Sequence, residues 1–136
     1  MAQHQLRASP QTVRIGVFDA TFPPVMTINS GDTVVVQCVS GRDEVMPPVS
    51  AGFTVPPELS AIIAANPAMR AGHIVTGPIA IADAEPGDML EIRIEKIEPG
   101  ADWGYNVIRP LAGTLPEDFH EMVLSHIPVD RERRVC

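Results

Sequence analysis

Aromatic side chains are scarce in this chain, with one Trp, one Tyr and four Phe in 136 residues. That disfavours a sugar-binding sandwich, whose platform needs several exposed rings. Cysteine is nearly absent as well. Cys38 sits inside an apolar strand pattern and Cys136 is the last residue, so no disulfide framework is available. Both read as reduced thiols, Cys38 as an inert core residue. No stretch approaches the roughly 20 apolar residues a membrane helix needs, and residues 1–7 carry no apolar signal-peptide core. The sequence therefore reads as cytoplasmic, without a membrane partner. Basic clusters are missing too: the net charge is −7 and the pI about 4.9. Affinity for a phosphate backbone rests on grouped Lys and Arg, so nucleic acid is not an expected partner.

Proline and glycine are plentiful, at 14 and 10 residues. Proline is kept out of helix interiors and central strands, and glycine marks turns, so the chain must be cut into short elements. The expected class is mostly β with one short helix. A chain of this length falls in the single-domain range and can bury roughly 68% of its unfolded surface.

Residues 12–18 alternate as a half-buried strand, and residues 25–28 lead into a Ser30-Gly31-Asp32 turn. The β-branched run from Thr33 to Val39 has too few polar residues to face water and predicts a central strand. A second turn, Pro86-Gly87-Asp88, predicts another strand over 89–97, where Leu90, Ile92, Ile94 and Ile97 nearly alternate with charges. In such turns Gly takes a positive φ and Asp bonds the backbone two residues on, which sets the register of the next strand. Pro57 at a first helical turn, an early Glu58 and Leu59, Ile62 and Ile63 at helical spacing predict a helix over 57–65, stopped at Asn66-Pro67. Its place after the long, stiff loop 40–57 suggests a lid or cap. Residues 122–129 predict a strand ending near Pro128.

Chemistry-bearing residues concentrate between positions 73 and 110: His73-Ile-Val-Thr-Gly-Pro78, Ala84-Glu-Pro-Gly-Asp88, Trp103-Gly-Tyr-Asn106 and Arg109-Pro110. With the Gly31-Asp32 turn and Gly113-Thr-Leu-Pro116, these segments resemble, in order, the N-terminal half of the acetamidase/formamidase family. The resemblance covers nearly everything from about residue 12. It implies a mostly β, sandwich or jelly-roll-like body that hydrolyses small linear carboxamides to a carboxylate and ammonia. It also implies that residues 1–136 form a single N-terminal β domain, completed by a C-terminal half as a second or cleaved chain, within a homo-oligomer. The Arg131–Arg134 stretch would be an accessible processing target, and autocatalytic exposure of a nucleophile on the following chain is an alternative. Expressed alone, the chain would be expected to aggregate. Family members often carry Glu-Gly where this chain has Ala82-Asp83, so any role of that Glu is moved or lost.

Amide hydrolysis requires an activated nucleophile, stabilisation of an oxyanion and an acid for the leaving nitrogen. His73, Glu85 and Asn106 are the catalytic candidates, and Thr76, Gly77, Trp103 and Tyr105 the substrate-binding ones. His73 can shuttle a proton or bind a metal through neutral imidazole. No second His or Cys lies three to five residues from it, so a divalent metal, zinc or calcium, would need ligands from elsewhere. The plain readings stand beside these: a backbone-satisfied His73, a solvated Glu85, a turn-forming Asp88, and a Trp and Tyr that fill a core. Arg109, extended before Pro110, can pair with Asp102, Glu117 or a carboxylate product. His120 and His126 read as surface and strand residues. The competing function is a non-catalytic β-sandwich module for assembly or small-ligand binding.

Overall fold

The computed structural model describes residues 1–67 and 72–136. Eight strands and one α-helix are present among them, with 3-10 turns at Asp43–Val45 and Val49–Ala51. Strand β1 (Gln3–Leu6) runs parallel to β4 (Thr33–Val36). Strand β2 (Val13–Ile15) is antiparallel to β5 (Ile74–Thr76), and β3 (Met26–Ile28) is parallel to β6 (Ile79–Ile81). The longest ladder joins β7 (Trp103–Ile108) to β8 (Val123–Pro128), antiparallel. The mostly β class with one short α-helix is as the sequence predicts. No helix among the described residues is long and apolar enough to cross a membrane.

Strand β4 is not central: among the described residues it has one partner, and Val35 and Val36 are exposed. Cys38, two residues past its end, is exposed rather than core. A β-branched run makes a strand, but the number of its neighbours is a tertiary decision.

The two Gly-Asp turns share one construction. Gly31 and Gly87 have φ of +86° and +108°, and the following Asp carboxylate accepts the N–H three residues back, from Asn29 at 3.1 Å and from Glu85 at 2.9 Å. The bond runs backwards across the turn, not two residues on, because the left-handed glycine folds the Asp over the preceding peptide. The first turn delivers the chain into β4. The second does not start a strand: residues 89–98 lie exposed and join no ladder. Alternation prepares a strand face, but a strand also needs a backbone partner, and no described part of the chain supplies one.

Helix α1 (Pro57–Ala65) falls where proline, Glu58 and the apolar spacing place it. It is not a lid. Leu59, Ile62 and Ile63 turn inward and build the core with Ala8, Val13 and Val39, and Ile15, Met46, Val55 and Ile74 pack around them. Each fully buried aliphatic side chain contributes roughly 1.5–3 kcal/mol over leaving it in water, so the helix is a main source of stability. The core is small for the chain. The accessible surface of 10434 Å² is about half as large again as the roughly 6,900 Å² expected of a compact monomer of this mass.

Candidate functional site

His73 is placed by two glycines. Gly72 has a φ of +100°, and a Cβ there would lie 2.2 Å from Cα of Gly16, so the two backbones touch. The Gly16 N–H donates to the His73 carbonyl at 2.9 Å. His73 is thereby pinned at the mouth of the β2–β5 ladder with its side chain in solvent. The exposed imidazole is not enclosed.

Thr76 and Gly77 carry the chain from one ladder to the next. Thr76 Oγ1 donates to the Gln37 carbonyl at 2.9 Å, and the Gly77 N–H donates to the Thr12 carbonyl at 2.9 Å. The Gly77–Pro78 bond is cis, and Pro78 then accepts from the Val25 N–H at 2.9 Å as β6 begins beside β3. The Thr76 hydroxyl and the Gly77 N–H are therefore engaged within the fold.

On the β7–β8 ladder, alternation divides the three candidates. Trp103 and Tyr105 share one face, and Asn106 takes the other. Trp103 is buried, its Nε1–H donating to the Thr54 carbonyl at 3.0 Å, while the Thr54 N–H donates to Asp102 at 3.2 Å. Around it stand Phe53 at 6.4 Å, Tyr105 at 6.4 Å and His126 edge-on at 5.8 Å, between ring centroids. His126 Nε2–H donates to the Val45 carbonyl at 2.9 Å, fastening the 3-10 turn to the ladder. On the opposite face, exposed Asn106 stands directly across from exposed Ser125. Cross-strand partners project together, so an amide and a hydroxyl are offered side by side.

Glu85 lies in the exposed second turn, its backbone N–H bonded to Asp88 and its carboxylate in solvent. Among the described residues no ladder connects the β2–β5 region that holds His73 to the β7–β8 ladder that holds Asn106. Among the described residues no group of three or more His, Cys, Asp or Glu is placed to hold a metal ion.

A cleft of about 330 Å³ opens where β7 ends, between Val107, Arg109, Leu115 and Phe119. Its one charged group is Arg109, which binds the Glu44 carboxylate; Arg42 lies 3.7 Å from the same carboxylate. Neither Asp102 nor Glu117 is the partner. The remaining lining residues are apolar or small, with Thr114 the one hydroxyl among them. Sequence reasoning reached Arg109 through Arg-Pro but missed the recess, because Leu115 and Phe119 meet Val107 only after the chain turns at Gly113.

A second polar cluster, also missed, lies at the first Gly-Asp turn. The Asp32 carboxylate accepts from Ala2 N–H at 2.7 Å, from His4 Nε2–H at 3.0 Å and from Asn29 N–H at 3.1 Å. These donors, the Ala2 amide first, hold its carboxyl well below the ordinary carboxylate range. Asp32 read only as a turn residue, because His4 comes near it through the parallel β1–β4 pairing.

The fold and these segments define a β protein whose ordered motifs match one lineage over most of its length. The chain belongs to the acetamidase/formamidase family, whose model matches residues 11–128. Membership implies amidase-type hydrolysis in general terms. No curated protein and no solved structure matches the chain.

Proposed function

We propose that this chain supplies part of the reaction surface of an amidase that hydrolyses small linear carboxamides, of the formamide or acetamide kind, to a carboxylate and ammonia. The family match over residues 11–128 carries the reading. In it, His73 is the proton carrier, accepting a proton from the attacking group and returning it to the leaving nitrogen. Asn106 donates its side-chain N–H to the oxygen that gains charge in the tetrahedral intermediate, and Glu85 offers a carboxylate. The recess beside Arg109 has room for a small amide. His73 and Asn106 stand on separate ladders in solvent, so the reading requires a companion polypeptide, a C-terminal half, to bring them into one water-excluding pocket. The uncovered surface of the chain gives that companion a place to sit. Should a zinc or calcium ion take part, His73 is the ligand offered here, and no step above passes through one.

The test is to isolate the chain with every polypeptide that co-purifies, measure the mass of each, and follow ammonia release from formamide and acetamide. Release that falls about a hundredfold or more with His73→Ala, while folding is unchanged, supports the proposal. A folded assembly inactive on a panel of small amides overturns it and favours the assembly-module reading.

A further inference from the structure

Residues 83–100 contain the largest contiguous exposed stretch of apolar side chains in the described chain. Met89, Leu90, Ile92, Ile94 and Ile97 are 96%, 63%, 75%, 74% and 80% exposed, and the segment joins no ladder. An alternating aliphatic strand left in water is unfavourable, since both its side chains and its backbone groups seek partners. Arg93 Nε lies 2.6 Å from Glu91 Oε1, a spacing of two that extended chain permits. Extended alternation puts Glu91 and Arg93 on one face and Leu90, Ile92 and Ile94 on the other.

We propose that residues 90–94 pair, antiparallel and about a two-fold axis at Ile92, with the same segment of a second copy of this chain. The register is dictated by side-chain chemistry. Residues directly opposite in an antiparallel pair share a face and interact, so only a centre on a residue sets aliphatic against aliphatic. Centred on Ile92, Leu90 meets Ile94 of the other copy, Ile92 meets Ile92, and Glu91 meets Arg93 twice. Centred on Arg93, Arg93 faces itself and Glu91 faces Glu95. Centred on Glu91, that carboxylate faces itself, and centred on Ile94, Ile92 faces Lys96. Parallel in-register pairing stacks every charge on its like. One register is complementary in both charge and hydrophobicity, and its partner is the same sequence. Pairing through this segment concerns assembly alone and is independent of the amidase reading.

The test is sedimentation equilibrium of the full chain over a range of concentrations, beside Glu91→Arg, Arg93→Glu and the double swap. The chain should weigh twice its monomer mass. Each single substitution sets like charges face to face at two symmetric places and should weaken association by about tenfold, with the melting temperature of the monomer unchanged. The double swap restores both pairs and should restore the dimer, which keeps the test decisive even where a single variant folds poorly. A monomer at every concentration overturns the proposal and leaves the segment to a different polypeptide. Association that is indifferent to Arg93→Glu, or not recovered by the swap, overturns it equally.

Discussion

The imidazole of His4 donates to the Asp32 carboxylate at 3.0 Å, tying the first strand to the turn that launches its parallel partner β4. Asp32 is nearly buried on its side chain and also holds the amides of Ala2 and Asn29, so one carboxylate closes the β1–β4 ladder at its start.

That arrangement predicts acid lability with a definite sign. The folded carboxyl is held below its unfolded value of about 3.9. The unfolded chain therefore binds protons first, and the stabilisation present above about pH 4 is lost as pH falls toward the folded value. The melting temperature of the wild type should drop below about pH 4. Asp32→Asn should melt lower at neutral pH and show a shallower acid decline. Circular dichroism melts from neutral to about pH 2 read both, and an unchanged acid slope in the variant refutes the assignment.

The contact between Gly72 and Gly16 predicts intolerance of any side chain. A Cβ on Gly72 would strike Gly16 Cα at 2.2 Å from a φ of +100°. Gly72→Ala should cost about 1–3 kcal/mol by urea unfolding and shift the backbone resonances of residues 13–16 and 73–76 before others.

Ile62 is wholly buried in the core with Leu59, Ala8, Val13 and Val39. Ile62→Ala should destabilise by about 2–5 kcal/mol, whereas Ser60→Ala on the exposed side of the same helix should stay within about 0.5 kcal/mol. Equal effects would mean that α1 does not carry the core.

As the sole tryptophan, buried Trp103 should emit at short wavelength when folded and shift to the red on unfolding. Trp103→Phe keeps a ring in the Phe53–His126 cluster but leaves the Thr54 carbonyl without its donor. A loss of about 1–3 kcal/mol is expected, checked by denaturant melts followed by circular dichroism. No loss would show the indole bond to be dispensable.

Much of the architecture is legible locally. Pro57, Glu58 and the Leu59–Ile63 spacing mark the helix to its ends, and Gly31-Asp32 and Pro86-Gly87-Asp88 mark the turns, because φ preference and local hydrogen bonding act within a few residues. The ordered motifs from His73 to Arg109 likewise point to the family without coordinates. The division of Trp103 and Tyr105 from Asn106 is clear once a strand is assumed, since alternation is intrinsic to the strand.

Local residue chemistry thus set a mostly β chain with one helix, cut at its glycines and prolines, and placed the acetamidase/formamidase motifs along it. The folded chain settled that α1 builds the core, that Arg109 is held by Glu44 and, among the described residues, that β4 has a single neighbour and the alternating 89–97 segment joins no ladder. The reason is one of range: turns and helix caps are settled by neighbours in the chain, whereas the partners of a strand or a charge are separated by tens of residues and meet only when the whole backbone has found its path.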